Sequence, residues 1–360
     1  MNSVHLANSQ KFSVQNFAPV WGAAVMGTGV ISVLFAAATR AEIAPVITKP
    51  LALIFLVIAA LIGTFVLSVT TIRWVRYPKE VMQDLSHPVK GGMSATFAGA
   101  WLVLAVAVNR VLSGILPESL VFTLTIALTV IGGVLAVFIG VVFLGGIFAR
   151  GDVQPGMITG VWFIPPVVTI IVPTALAPLL QTAGKWQNEV LWISWIFFGM
   201  GTMLYMVVVA TLFYRSATNP LPPAHLAPSL LIGMGPAGLI GLDLVLLSEA
   251  SVKTGLASDS MIDIATTTGT IFWAFGLWWG LTTLVVLKKG YDKLPFALSW
   301  WGFTFPLGAW SVAGLVIGSS SASIIITALS LIASLILIIL WGFIIFKTAK
   351  GIRNGTVWAA

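Results

Sequence analysis

Few residues in this sequence can do chemistry, and their placement excludes most reactions. The 360 residues include 18 Lys and Arg, 11 Asp and Glu, three His and no Cys. Without thiols there is no disulfide, zinc–thiolate site or iron–sulfur cluster. No nucleophile–base–acid constellation and no cluster of metal ligands occurs, so neither catalysis nor a cofactor or metal is expected. Gly233-Met-Gly-Pro-Ala-Gly238 has the spacing of a dinucleotide-binding turn, yet it follows no strand and carries Pro236 within an apolar run. Three features remain. Arg110 and Asp243 are ionisable residues near the same end of two apolar runs, where charge is costly and functional by default. Neutral hydroxyls stand at Thr28, Thr169, Ser299 and Thr304. An aromatic ring, Phe305, directly precedes a helix-breaking proline, Pro306.

The elements that must position these residues are membrane helices. The chain is 58% apolar and 8% charged, with a mean hydropathy of +1.04, against about 25% charged for a soluble domain. Ten apolar runs cover about 17–38, 51–73, 92–112, 119–149, 157–180, 190–214, 226–248, 261–287, 295–318 and 322–346. Each can cross a bilayer, which takes about 20 residues, and none alternates as a barrel strand would. The predicted organisation is a segment 1–16, a ten-helix domain 17–346 and a tail 347–360. The first run is too long for a cleaved signal and reads as a permanent helix.

Basic residues orient the chain. Thirteen fall on one side: Lys11, Arg73, Arg76, Lys79, Lys90, Arg150, Arg215, Lys288, Lys289, Lys293, Lys347, Lys350 and Arg353. Five fall on the other: Arg40, Lys49, Arg110, Lys185 and Lys253. The positive-inside rule makes both termini cytoplasmic, and His5, His87 and His225 lie at or near that side. The net charge of +7 is thus an orientation signal that calls for no nucleic acid.

Glycine and proline mark the odd-numbered runs. Gly22, Gly27 and Gly29 interrupt the first, Pro165, Pro166 and Pro173 the fifth, Gly235 and Pro236 the seventh, and Gly302, Pro306 and Gly308 the ninth. The even-numbered runs contain no interior proline, and the third, with Gly99 and Trp101, is the odd run without one. The alternation predicts an all-α fold of five helical hairpins, with kinked odd-numbered helices around a central path and regular even-numbered helices facing lipid. A ring at Phe305 could then swing into a narrow lumen and block ions by dewetting.

Two stretches carry a resemblance. Phe17-Ala-Pro-Val-Trp-Gly-Ala-Ala-Val-Met-Gly-Thr-Gly29 resembles the first-helix signature of the tellurite-resistance/dicarboxylate transporter family, and Ser299-Trp-Trp-Gly-Phe-Thr-Phe-Pro306 is similar to its ninth-helix motif. That family includes plant slow-type anion channels, bacterial tellurite-resistance membrane proteins, fungal malate permeases and sulfite efflux pumps. The resemblance implies a homotrimer in the cell (inner or plasma) membrane, each protomer with its own pore. It also implies a phenylalanine plug, Phe305 by motif position, with Phe303 the competing assignment. The expected lining is Gly27, Thr28, Gly29, Pro165, Pro166, Thr169, Gly235, Pro236, Ser299, Thr304 and Pro306. From its position alone, Arg110 is an anion contact at the outer vestibule, an interfacial snorkelling residue, or half of a structural ion pair with Asp243. The implied function is channel-like passage of small anions such as chloride, nitrate or a dicarboxylate. The alternative is a carrier for a C4-dicarboxylate such as malate, with or without protons; tellurite or sulfite export ranks behind both.

Overall fold

The computed structural model describes residues 11–358. His5, most of the segment 1–16 and the last two residues of the tail lie outside the described residues. The described chain is helical without a strand, and ten helices are long and apolar enough to cross a membrane. They are α1 (Pro19–Arg40), α2 (Pro45–Arg76), α3 (Lys90–Leu112), α4 (Glu118–Arg150), α5 (Gly160–Leu179), α6 (Gly184–Thr218), α7 (Ala227–Lys253), α8 (Ser260–Gly290), α9 (Leu298–Ser320) and α10 (Ile324–Arg353).

Burial sorts them into two layers. In the apolar stretches of the odd-numbered helices 83–100% of residues are buried, against 22–39% in the even-numbered ones. Each odd helix packs against the even helix that follows it. The odd helices also pack on one another in the order α1, α3, α5, α7, α9 and back to α1, which closes a five-helix ring. The even helices turn large apolar side chains such as Leu61, Val134, Ile271 and Ile339 outwards, as lipid contact requires. The described chain starts and ends on one face, where Phe12 meets Trp358 edge-on at 5.1 Å. We call it the near face, and the opposite one the far face.

The inner helices differ from the sequence expectation in an instructive way. Pro173 lies within the regular part of α5, as the interrupted odd-numbered runs led one to expect, but the other prolines marking those runs stand nearer the near-face ends. Four start at the near face with a short 3-10 segment and the third with a five-residue α-helix, and the regular α-helix then begins at Gly22, Thr96, Ile164, Met234 or Thr304. Pro165, Pro166, Pro236 and Pro306 occupy the first turns of those regular segments, where a missing N–H costs nothing. The third helix obeys the same rule without proline, because its lead-in turn Lys90–Ser94 ends at Ala95. Here glycine replaces proline: a Cβ on Gly91 would strike the Leu85 carbonyl, and one on Gly92 would come within 2.8 Å of the Val161 carbonyl. The even helices are continuous for 30–33 residues in their regular parts, with two prolines the runs had left outside, Pro45 and Pro50, in the first turns of α2.

Carbonyls freed by the lead-in turns are taken up by outer-layer side chains. The Tyr205 hydroxyl on α6 donates to Gly233 O at 3.0 Å, and the Trp279 indole on α8 donates to Leu230 O at 2.8 Å. Trp273 and Trp310 donate to each other's carbonyls at 3.2 and 2.8 Å, with stacked rings. Buried backbone polar groups must be satisfied in lipid, and this need explains indoles at mid-depth in α8 and α9.

Candidate functional site

The axis of the inner ring holds four cavities in series. At the near face a vestibule of about 810 Å³ is lined by Gln15, Arg73, Asp84, His87, Lys90, His225 and Ser299, among others. Below it a chamber of about 30 Å³ is walled by Ala23, Met26, Thr96, Ile164, Val167, Ile232, Ser299, Phe305 and Pro306. A second chamber of about 30 Å³ follows, then a far-face vestibule of about 400 Å³. Phe305, on the first turn of the regular part of α9 and 6% exposed, is the only side chain common to the walls of both small chambers. A chamber of about 30 Å³ has room for a water or two, so the path narrows to that width on both sides of this ring.

Beyond Phe305 the wall is built in layers, one side chain per inner helix. Val30, Val103, Ile171, Leu239 and Ala309 form one layer. Three residues further along each helix, Val33, Val106, Thr174, Leu242 and Val312 form the next, which also floors the far vestibule. The i, i+3 step keeps each pair on one helix face. Thr174 is the polar member. Its hydroxyl donates to Asp243 Oδ1 at 2.7 Å, while Asp243 Oδ2 is buried without a partner.

The far vestibule gathers Arg40 from α1, Arg110 from α3, and Glu249 and Lys253 from α7, with the neutral Gln181. Among the described residues the ion pairs are Arg73–Asp84, Lys90–Asp84 and Arg150–Asp152, so none of these three cations is in one. The expected Arg110–Asp243 pair is not formed. The Glu249 carboxylate accepts a bond from Ser320 Oγ at 3.1 Å.

The placement of the other sequence-predicted residues is mixed. Ser299 and Pro306 stand in the walls with Phe305, though Ser299 Oγ is spent on the His225 carbonyl. The rest face neighbouring helices. Gly27 abuts Thr304, Gly29 abuts Val103 and Gly235 abuts Pro306. Pro165 lies against Gly140 of α4, and the Pro166 carbonyl lies near Gly201 of α6. Thr28 donates to Ala24 O and accepts from the Trp341 indole on α10, Thr169 donates to Pro165 O, and Thr304 to Trp301 O. The lumen expected from hydroxyls and loosened amides is therefore walled mainly by aliphatic side chains, because a helical hydroxyl finds its own preceding carbonyls first. Phe303 packs edge-on against Trp300 at 5.5 Å and lines none of the four cavities. Arg40, Lys253 and Thr174 were missed; the first two were legible only as far-side cations at helix ends.

At the near vestibule, Arg73 bonds Asp84 at 2.6 Å and the Gln15 carbonyl at 2.8 Å, tying the chain before α1 to the α2–α3 connection. His87 Nδ1 accepts from the backbone N–H groups of Val89 and Lys90 at 3.1 and 3.2 Å, capping the lead-in turn of α3. Burial, and next the Lys90 ammonium, lower its proton affinity, against a smaller opposing effect of Asp84. The folded chain thus binds this proton more weakly than the unfolded chain. The cap's stabilisation is present above the ordinary histidine value of about 6.5 and is lost as pH falls through the lowered folded value. Thermal melts at about pH 7.5 and about pH 5.5 should show wild type losing more on acidification than His87→Asn, whose side-chain oxygen caps without titrating.

Comparison with known proteins places this architecture. Residues 16–349 match the family model described as voltage-dependent anion channel. Two uncharacterized transporters of Methanocaldococcus jannaschii are similar. One is 31% identical over 304 residues, covering 82% of this chain and 83% of its own; the other is 28% identical over 351 residues, covering 96% of each. A sulfite efflux pump of Arthroderma otae is 24% identical over 348 residues, covering 91% of this chain and 89% of its own. A match that spans all ten helices, joined to the closed inner ring, identifies the chain as a multi-pass membrane protein belonging to the voltage-dependent anion channel family.

Proposed function

We propose that this protein passes small anions along the axis of its inner ring, with Phe305 as the gate and the termini in the cytoplasm of a cell-membrane homotrimer. The observation that carries this reading is the single ring at Phe305 between two water-sized chambers on a path with a vestibule at each end. Anion preference has two supports. All five inner helices run in the same direction, and the positive ends of their regular segments surround the chamber before Phe305. Such aligned dipoles favour negative charge without trapping it. At the far mouth, Arg40, Arg110 and Lys253 outnumber Glu249 and raise the local anion concentration.

A C4-dicarboxylate carrier is the second reading, favoured by the cluster of cations that could hold two carboxylates. The similarity to a protein named sulfite efflux pump supports sulfite as a further candidate anion. The deciding experiment is flux of nitrate, chloride, sulfite and malate in vesicles reconstituted with purified protein, beside empty vesicles. Dissipation of nitrate and chloride gradients supports the gated pore. Malate accumulated against its gradient, with no chloride or nitrate flux, replaces it with the carrier.

Arg110→Gln should raise the half-saturating nitrate concentration about tenfold while leaving the protein folded. A charged hydrogen-bonding partner contributes about 1.5–3 kcal/mol, and about 1.4 kcal/mol is tenfold. Arg110→Lys should recover most of the loss, because a point charge still attracts a monoanion. An unchanged half-saturation in Arg110→Gln would remove Arg110 from the path.

A further inference from the structure

We propose that Asp243 is a proton-binding site whose occupancy is coupled to anion occupancy of the far vestibule; this rests on the anion-passage reading above. The observation is an unsatisfied carboxyl. Asp243 has no exposed surface, its Oδ1 accepts the Thr174 hydroxyl at 2.7 Å, and its Oδ2 meets no donor. An orphaned buried oxygen is uncommon and asks for a cause. A neutral carboxyl costs far less to bury than an ionised one, whereas a carboxylate there relies on nearby cations in place of water.

Those cations belong to the vestibule. Arg110 on α3 and Arg40 on α1 lie on the same cavity as Thr174, with Glu249 and Lys253 further along α7 itself. From α5 the facing group is the neutral Thr174. α8 and α9 meet this part of α7 with Gly269 and Ile317, neither ionisable, and Tyr205 of α6 bonds Gly233 near the other end. Three cations thus face two carboxylates, and a proton on Asp243 raises the positive excess from one to two. An anion between the guanidiniums supplies the counter-charge that the carboxylate otherwise provides. Anion binding and proton uptake therefore favour one another, and the coupling is reciprocal.

The geometry also supplies a route. Asp243 does not reach the cavity, but Thr174 stands in its wall. The hydroxyl hands its own proton to Asp243 Oδ1 as its oxygen takes one from a hydronium ion in the vestibule, so Thr174 ends unchanged, the hydronium becomes water and one proton has moved inwards. This would make acidity at the far face a control of anion retention and, in a carrier, a means of moving a proton with the anion.

The test uses nitrate, whose own charge is constant across the range. Purified full-length protein in weakly buffered detergent solution is mixed with nitrate while pH is recorded. Wild type should take up protons, and Asp243→Asn, which keeps the Thr174 acceptor, should take up none. This readout needs no transport and stands apart from the flux experiment. In reconstituted vesicles, lowering far-face pH from about 7.5 to about 5.5 should lower the half-saturating nitrate concentration about tenfold, within the usual range of coupling. Asp243→Asn should hold the low value at both pH values, and Thr174→Val should move the midpoint of the response. Proton uptake by Asp243→Asn equal to wild type overturns the proposal. So does a response seen only when the near face is acidified, which would trace to His87. Absence of nitrate flux in wild type with proton uptake intact would overturn the pore reading and leave the coupled site standing.

Discussion

Phe305→Ala is expected to raise nitrate and chloride flux about a hundredfold. The wild-type ring separates two chambers, each with room for a water or two, and it is the sole side chain their walls share. An ion crossing such a constriction must shed its shell against aliphatic walls, and the effective penalty of desolvating an ion in a protein is several kcal/mol. Removing the ring joins the chambers and lets water follow the ion. If about 3 kcal/mol of that barrier is relieved, flux rises about a hundredfold, at 1.36 kcal/mol per decade. Phe305→Leu, still apolar and bulky, should remain near wild type. Phe303→Ala is the control: its ring is packed on Trp300, so it should lower thermal stability and leave flux unchanged. High flux in Phe303→Ala with none in Phe305→Ala would transfer the gate to Phe303. Loss of uphill malate uptake in Phe305→Ala, without a leak, would make the ring part of an alternating-access cycle.

The ten helices and their two layers could be read from the sequence because lipid imposes one strong rule. Each span must be long, apolar and internally bonded, and interior prolines gather in the protein-facing odd-numbered runs. What escaped was rotation about each helix axis. Thr28, Thr169 and Thr304 share their helices with Val33, Thr174 and Val312, yet a phase difference turns the first three towards neighbours or their own backbone. Hydropathy carries no such phase when every face of a helix is apolar. The lumen is distinguished by layers, and their members recur about seventy residues apart along the chain, at 33, 106, 174, 242 and 312. The break in α3 escaped for another reason: it carries no proline, and the close packing of Gly91 on Leu85 and of Gly92 on Val161 beside it is not something a search for proline registers. Arg40 and Lys253 could be assigned to a side, but their convergence on Arg110 depends on the closure of the ring.

Gly27 separates a lining role from a packing one, and its substitution should have the largest effect on stability. A Cβ at this position of α1 would overlap the Thr304 hydroxyl and come within 2.9 Å of Thr304 Cβ and 3.1 Å of Trp301. Neither neighbour can give way. Thr304 is fully buried and bonded to Trp301 O at 2.8 Å, and Trp301 is 1% exposed with its indole tied to Thr348 at 3.2 Å. The helices α1 and α9 must separate, which for overpacking costs about 1–3 kcal/mol, against a gain of about 1 kcal/mol from replacing a helical glycine by alanine. Gly27→Ala should therefore melt lower by a modest margin, and Gly27→Leu should fail to yield a monodisperse protein. Because Phe305 adjoins Thr304, the alanine variant should also leak nitrate. A lumen-facing Gly27 would behave in the opposite way, with melting unchanged or raised and flux reduced by the added methyl. The double variant Gly27→Ala/Thr304→Ala decides between them: deleting the hydroxyl makes room for the new methyl, so its stability should exceed the sum of the two single losses. That non-additivity is the signature of residues in contact, and strictly additive losses would place Gly27 away from α9.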